Sequence, residues 1–123
     1  MGKISTADIE LINIQIGSLL RLARLRKGLS QLDLALLINS NPTMIGRIER
    51  FKGKTSWEKI LVICKELDFN FCELFELRSK ESLLSVVEET LQYEDKLTKE
   101  KMKFYDSLKR EIEEKFKLVG KGH

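Results

Sequence analysis

Side chains that can bind a polyanion are concentrated between Arg21 and Lys59. This stretch holds nine basic and three acidic residues, a net charge of +6, whereas the whole chain carries +3. From Ser79 to His123, ten basic and ten acidic residues cancel. Such a local excess is the electrostatic footprint of a phosphate-binding surface. The sequence therefore predicts recognition of a polyanion here, with a solvated cationic surface as the alternative interpretation.

Within this stretch, the segment from Gln31 to Arg50 offers the best-placed hydrogen-bonding groups. Its second half has an apolar edge formed by Ile45 and Ile48. The opposite side carries Thr43, Arg47 and Arg50. Gln31 falls in the first turn of a predicted helix, where free amides and the helix dipole favour a phosphate. These residue types predict ionic and hydrogen-bonding recognition rather than covalent chemistry.

Two short amphipathic helices must position these side chains. Leu34, Ala35 and Ile38 recur at helical spacing in the first, and Ser30 is its expected N-cap. A turn-forming cluster, Asn39-Ser40-Asn41, follows. Asn41 before Pro42 predicts a helix start, since Asn caps free amides and Pro needs no N–H in the first turn. Two helices across so short a turn have helix-turn-helix geometry, and an ordinary helical hairpin is the alternative.

The remaining elements are also predicted to be helical, because the chain has one Pro and few aromatic residues. A first helix is expected over about residues 14–27, ended by Gly28, and a fourth over 57–67, capped by Ser56. A short fifth helix ends near Leu77. Residues 1–13 form an arm that either extends the first helix, with Ser5 or Thr6 as its cap, or packs on a partner subunit. Trp57 is interpreted as a core or cap residue, with a contact aromatic as the alternative.

Catalytic and metal-binding constellations are not predicted. His123 is the only histidine, and Cys64 and Cys72 lack CxxC spacing. There is no Gly-rich phosphate loop and no nucleophile–base–acid set, so we expect no enzyme activity, cofactor or metal. Both cysteines are expected to be buried, reduced thiols of a cytoplasmic protein. No apolar run approaches the roughly 18 residues of a membrane span.

A set of characteristic residues recurs in order over about sixty positions. It consists of Ile16-Gly17, Leu20-Arg21, Arg24, Gly28-Leu29-Ser30-Gln31, Leu34-Ala35, Ile45, Ile48-Glu49, Ser56, Ile60-Leu61, Ile63, Leu67 and Glu73-Leu74-Phe75. This set resembles the Cro and phage-repressor, or XRE-like, helix-turn-helix family. The resemblance implies an all-α, five-helix DNA-binding bundle, and it covers neither the arm nor the residues beyond Leu77.

The resemblance also implies which residues would contact DNA. Arg47 is the best candidate for a bidentate contact with guanine, worth roughly 1–3 kcal/mol of discrimination. Gln31 would bond a backbone phosphate and brace the recognition helix. The full candidate set is Gln31, Asn41, Pro42, Thr43, Gly46, Arg47, Arg50, Lys52, Lys54, Thr55 and Ser56. Arg24 and Glu49 are expected to form a structural ion pair between the first and third helices.

Three residues depart from the family pattern. Pro42 replaces a hydrogen-bonding side chain, so that position would act through shape or apolar contact. Asn39 replaces the usual turn glycine, and the turn is expected to persist because Asn tolerates the left-handed conformation. Phe51 is apolar at a loop position that is usually small or polar, and it is interpreted as packing on a partner rather than touching DNA.

The segment from Ser79 to Leu118 is predicted to be helical, with Thr98 capping a last helix. Its apolar residues follow 3-4 spacing and are Leu84, Val87, Leu91, Tyr105, Leu108 and Ile112. Charges at Glu94 and Lys101 interrupt a continuous coiled-coil seam. One long helix or a hairpin folded back on the DNA-binding domain are both compatible with this pattern, and a dimerisation or partner-binding arm is the functional interpretation that we favour.

Together these observations predict three parts: an N-terminal arm (1–13), a helix-turn-helix domain (14–77) and a C-terminal helical dimerisation or partner segment (78–123). The expected function is that of a cytoplasmic transcriptional regulator that binds duplex DNA as a homodimer. Two alternatives remain open. In one, an antitoxin or controller-type protein binds a protein partner through its C-terminal helices. In the other, the helix-turn-helix serves only protein interaction.

Overall fold

The computed structural model describes residues 4–52 and 55–119, and in these ranges the chain forms helices and no strand. The predicted all-α class is confirmed. In chain order the elements are α1 (Thr6–Arg26), α2 (Gln31–Leu37), α3 (Pro42–Glu49), α4 (Trp57–Leu67), a 3-10 helix (Phe71–Phe75), α5 (Lys80–Tyr93) and α6 (Lys99–Leu118).

Helix α1 begins at Thr6, eight residues before the start expected near Ile14. Ser5 caps it: its hydroxyl accepts a hydrogen bond from the Asp8 amide at 3.1 Å, and the Asp8 carboxylate accepts one from the Ser5 amide at 2.8 Å. This reciprocal pair is a capping box. The described part of the arm is therefore an extension of the first helix, which was one of the two predicted alternatives.

Helix α1 is shared by two apolar clusters. Near its start, Leu11 and Ile14 pack with residues of α5 and α6. Farther along, Leu19, Leu20 and Leu22 pack against the helix-turn-helix elements and α4. A helix of 21 residues is roughly 31 Å long, enough to reach both clusters. The helix-turn-helix elements and the C-terminal helices are thus built on one continuous helix.

Helices α1 to α4 each end at a residue in the left-handed conformation. These residues are Gly28, Asn39, Phe51 and Asp68. In each case the following amide bonds back across the last turn, as the Lys52 amide does to the Arg47 carbonyl at 2.9 Å. This is the hydrogen-bonding of a Schellman cap. The expectation for Asn39, with φ 55°, is confirmed.

Helices α5 and α6 form a hairpin that folds back on α1, so the hairpin alternative describes this segment. In α6, Tyr105, Leu108 and Ile112 are buried as expected, and Thr98 caps the helix. In α5 the buried positions are Leu83, Val86, Val87 and Thr90. Of the predicted apolar stripe of α5, Val87 is buried, and Leu84 and Leu91 are partly buried and pack against the same cluster. The apolar side chains of α5 and α6 thus pack against each other and against α1 of the same chain.

Candidate nucleic-acid interface

Helix α3 separates an apolar side from a polar, exposed side. Ile45 is 1% exposed and Ile48 9%, and both pack in the cluster beneath α3. Thr43 and Arg47 are exposed on the other side. Helix α3 therefore has the buried apolar side and the exposed polar side that the sequence predicted, and Arg47 lies on the exposed side.

The turn before α3 fixes where that helix begins. The Asn41 side-chain oxygen accepts a hydrogen bond from the Met44 amide at 2.9 Å, and Pro42 occupies the first helical position. Asn41 and Pro42 are both exposed. The oxygen of Asn41 is thus already used for capping, which leaves its amide group as the part suited to an additional contact.

Gln31 joins the start of α2 to the end of α3. Its side-chain amide donates a hydrogen bond to the Glu49 carboxylate at 3.2 Å, and the residue is half-buried. Gly46 lies directly beside it, since a Cβ at Gly46 would be 3.4 Å from the Gln31 oxygen. A methyl group at this position would be in ordinary van der Waals contact with Gln31. The expected bracing of the recognition helix by Gln31 is seen in this contact.

The Glu49 carboxylate is the acceptor at the centre of a buried polar cluster. Arg24 donates to both of its oxygens, from Nε at 2.7 Å and from Nη2 at 2.9 Å. The third nitrogen of Arg24 donates to the Leu29 carbonyl at 2.7 Å. Glu49 is 2% exposed and Arg24 6%. The predicted ion pair between α1 and α3 is confirmed.

Arg21 is a further member of this cluster that the sequence did not single out. Its Nε donates to Glu49 at 3.2 Å, and its Nη1 donates to the Tyr105 hydroxyl at 3.3 Å. The guanidinium carbon also lies 4.7 Å from the centroid of the Phe104 ring. Arg21 precedes Arg24 by one helical turn, and this spacing was the available signal. The contacts with α6 could not be anticipated from local pattern.

The remaining candidate residues are in the stretch of chain that follows α3. Lys52, Thr55 and Ser56 are exposed, and Ser56 caps α4 by accepting from the Lys59 amide at 3.3 Å. Arg50 is exposed too, with its Nε donating to the Gly46 carbonyl at 3.1 Å along the helix. Lys54 lies outside the described residues.

Two expectations about neighbouring side chains are wrong. Trp57 was expected in the core or at a cap, yet it is 62% exposed, because the first position of α4 faces outward. Cys72 was expected to be buried, yet it is exposed in the 3-10 helix. Cys64 is buried as expected, and burial raises the pKa of its thiol to about 11. Cys64 is therefore protonated at neutral pH.

A groove of about 1050 Å³ lies between the start of α2 and the connection from α5 to α6. Gln31, Pro42 and Arg50 line it on the candidate DNA-binding side. Glu94 and Lys101 line the other side and form an ion pair at 3.4 Å.

Within residues 4–52 and 55–119, no three His, Cys, Asp or Glu side chains are grouped so that they could hold a metal ion. None of the helices in this part of the chain has the length and apolar character needed to cross a bilayer.

Residues 20–74 match a protein-family model described as "Helix-turn-helix". The matched range begins inside α1 and ends in the 3-10 helix, so it contains α2, α3 and α4 but neither α5 nor α6. No curated protein and no solved structure matches the chain.

Proposed function

Because residues 20–74 form a helix-turn-helix domain of the Cro/C1, XRE-like type, we propose that this protein is a transcriptional regulator that recognises a specific sequence in duplex DNA. The observation that carries the proposal is the two-sided character of α3. Its apolar side packs in the core, while Thr43 and Arg47 are exposed in a strongly basic stretch of the chain. A binding function fits this arrangement better than catalysis.

In the proposed complex, α3 lies in the major groove and Arg47 contacts a guanine through two hydrogen bonds. Thr43 lies on the same exposed side and can bond a base edge or touch a thymine methyl. Gln31 binds a phosphate from the start of α2. Phosphate contacts supply most of the affinity, and base contacts supply the specificity. The expected backbone contacts also include Lys52, Lys54, Thr55 and Ser56 in the stretch that follows α3. Arg50, which lies near Gln31, is suited to either a base or a backbone contact.

We further propose that the protein acts as a homodimer on two half-sites. Half-sites one helical turn apart, roughly 34 Å, let a two-fold dimer insert both recognition helices on the same side of the duplex. The apolar stripes of α5 and α6 pack within their own chain, so the dimer contact would use their outer surfaces or another part of the molecule. Selection of bound duplexes from a random pool tests this, since a single unrepeated half-site would contradict the dimer.

The decisive test of DNA recognition is Arg47→Ala. We expect a loss of roughly 1–3 kcal/mol in binding to the selected sequence and relaxed preference at one base pair. Fluorescence anisotropy with the selected duplex and with variants at each position measures both effects. Arg110→Ala is the matched control, because Arg110 is exposed on α6 outside the candidate interface.

The alternative in which the helix-turn-helix serves only protein interaction predicts a different result. Neither the affinity for duplex DNA nor its dependence on salt would change in Arg47→Ala. Equal losses in Arg47→Ala and Arg110→Ala would also contradict the assignment, because they would indicate a general effect of positive charge rather than a contact made by α3.

A further inference from the structure

The C-terminal hairpin makes direct contact with the end of the recognition helix. We propose that Phe104 of α6 is a positioning residue for DNA recognition, acting through Phe51 and Arg21 on the last turn of α3. The inference rests on the proposed DNA-binding function. It assigns to the segment beyond residue 77 a role in recognition that the helix-turn-helix match does not cover.

The first contact is between Phe51 and Phe104. Their ring centroids are 6.4 Å apart with 27° between the planes. Phe51 follows α3 at φ 62°, a conformation that non-glycine residues rarely adopt. Glycine is the usual residue at such a helix end. Phe51 therefore occupies a strained position, from which its ring reaches α6.

Gly17 on α1 provides the space for this ring. A Cβ at Gly17 would lie 2.6 Å from Cδ1 of Phe51 and 2.6 Å from the Ile48 carbonyl oxygen. The ring consequently packs directly on the backbone of α1 on one side and on Phe104 on another. The end of α3 is thus held between two helices, one of which lies outside the helix-turn-helix elements.

The second contact runs through Arg21. Its guanidinium lies over the Phe104 ring at 4.7 Å from the centroid, and its Nε bonds the Glu49 carboxylate at 3.2 Å. Cation–π attraction of this kind favours the guanidinium position above the ring. Phe104 therefore supports Arg21, which is one of the three side chains that bond the last residue of α3. The adjacent Tyr105 hydroxyl accepts from Arg21 and donates to Glu94 at 2.5 Å.

The contacts with α6 lie close to Arg47, the residue proposed to contact a base. Glu49 and Phe51 lie two and four residues beyond Arg47. The proposed base contact is therefore about one helical turn from Phe51, which contacts α6, and from Glu49, which is linked to α6 through Arg21. Binding side chains generally act only within about 0.5 Å and 10–20° of their productive geometry. Loss of the Phe104 ring would allow the last turn of α3 to shift, which weakens contacts with bases more than contacts with phosphates.

The test compares Phe104→Ala with Phe116→Ala. Phe116 is also on α6 and also packs against the apolar cluster shared with α1, so its loss perturbs the same cluster without touching Phe51 or Arg21. We measure affinity for the selected duplex and for a random duplex over a range of salt concentrations, at a temperature where circular dichroism shows both variants folded. We expect Phe104→Ala to lower the ratio of specific to random affinity by about fivefold or more, with an unchanged salt slope.

Two further variants separate positioning from general stability. Phe51→Gly keeps a residue suited to φ 62° and removes the ring, so it should lower the same ratio. Phe104→Tyr keeps the ring and should restore the wild-type ratio. A wild-type ratio in Phe104→Ala, or an equal loss in Phe116→Ala, would overturn the inference.

A readout without DNA distinguishes failure of this inference from failure of the proposed function. Amide hydrogen exchange should accelerate at residues 46–49 in Phe104→Ala and remain as in wild type in Phe116→Ala. If wild-type protein shows no preference for any duplex, the proposed function fails. The positioning role is then decided by exchange alone, and unchanged exchange in Phe104→Ala would overturn it.

Discussion

The Glu49 carboxylate accepts hydrogen bonds from three side chains that belong to two different helices. Arg21 and Arg24 come from α1, and Gln31 comes from α2. Replacing this buried carboxylate with an uncharged group would leave two guanidinium groups without their ionic partner. A single residue at the end of α3 therefore fixes this helix against the two helices before it.

We expect Glu49→Gln to destabilise the fold by about 3–5 kcal/mol, the usual cost of breaking a buried ion pair. The substituted amide group would face guanidinium donors and could not accept from all of them. Urea denaturation followed by circular dichroism measures the change. Glu89→Gln is the control, because its pair with Arg26 has side chains 37% and 50% exposed and should contribute less than about 1 kcal/mol. Equal costs in the two variants would contradict the structural role of Glu49.

Gly17 is a second residue at which a small substitution should strongly lower stability. The methyl group of Gly17→Ala would lie 2.6 Å from the backbone oxygen of Ile48, so α1 and α3 must move apart. We expect Gly17→Ala to lower the free energy of unfolding by about 1–3 kcal/mol, the usual cost of overpacking. Thermal denaturation measures the loss.

The neighbouring substitution Ser18→Ala is the control for Gly17→Ala. The Ser18 hydroxyl is buried and has no hydrogen-bond partner among the described residues, so its removal should leave stability unchanged or slightly higher. A Gly17→Ala protein as stable as Ser18→Ala would show that the contact between α1 and α3 is looser than the structure indicates.

At the scale of the elements, helix starts were predictable because their signals are local. Ser30, Asn41, Ser56 and Thr98 each precede a helix and cap it as expected. A cap depends on one side chain and an amide two or three residues later, so the sequence contains all of the relevant information. The helix-turn-helix itself follows from two such caps and a turn tolerated by Asn39.

Features that depend on distant partners were not predictable in the same way. The outward position of Trp57, the buried positions of α5 and the contacts of Arg21 with α6 are set by packing between segments far apart in the chain. Hydrophobic spacing alone does not decide which of two adjacent positions faces a neighbouring helix. The choice of DNA-contacting residues rests on resemblance and stays a prediction.

At the scale of the whole molecule, α1 connects two apolar clusters that the sequence assigned to separate parts. Its continuous run from Thr6 to Arg26 crosses the boundary placed at residue 14. The division into arm, domain and C-terminal segment stays a prediction. The shared helix has a thermodynamic consequence, since loss of packing at one end of α1 removes support from elements packed at the other.

We therefore expect both clusters to unfold as one cooperative unit, and Ile112→Ala tests this. Ile112 is fully buried in the cluster formed with α5 and the start of α1, so its truncation should cost about 2–5 kcal/mol.

Helix α4 reports on the other cluster, to which it contributes Ile60 and Ile63. Native-state hydrogen exchange measures the opening free energy of amides in each helix. In a cooperative molecule, the slowest amides of α4 and α6 lose protection by the same amount. The control is Leu118→Ala, at a position 55% exposed, which should change neither. If α4 kept its wild-type protection in Ile112→Ala, the C-terminal hairpin would unfold independently of the helix-turn-helix, and α1 would not couple the two.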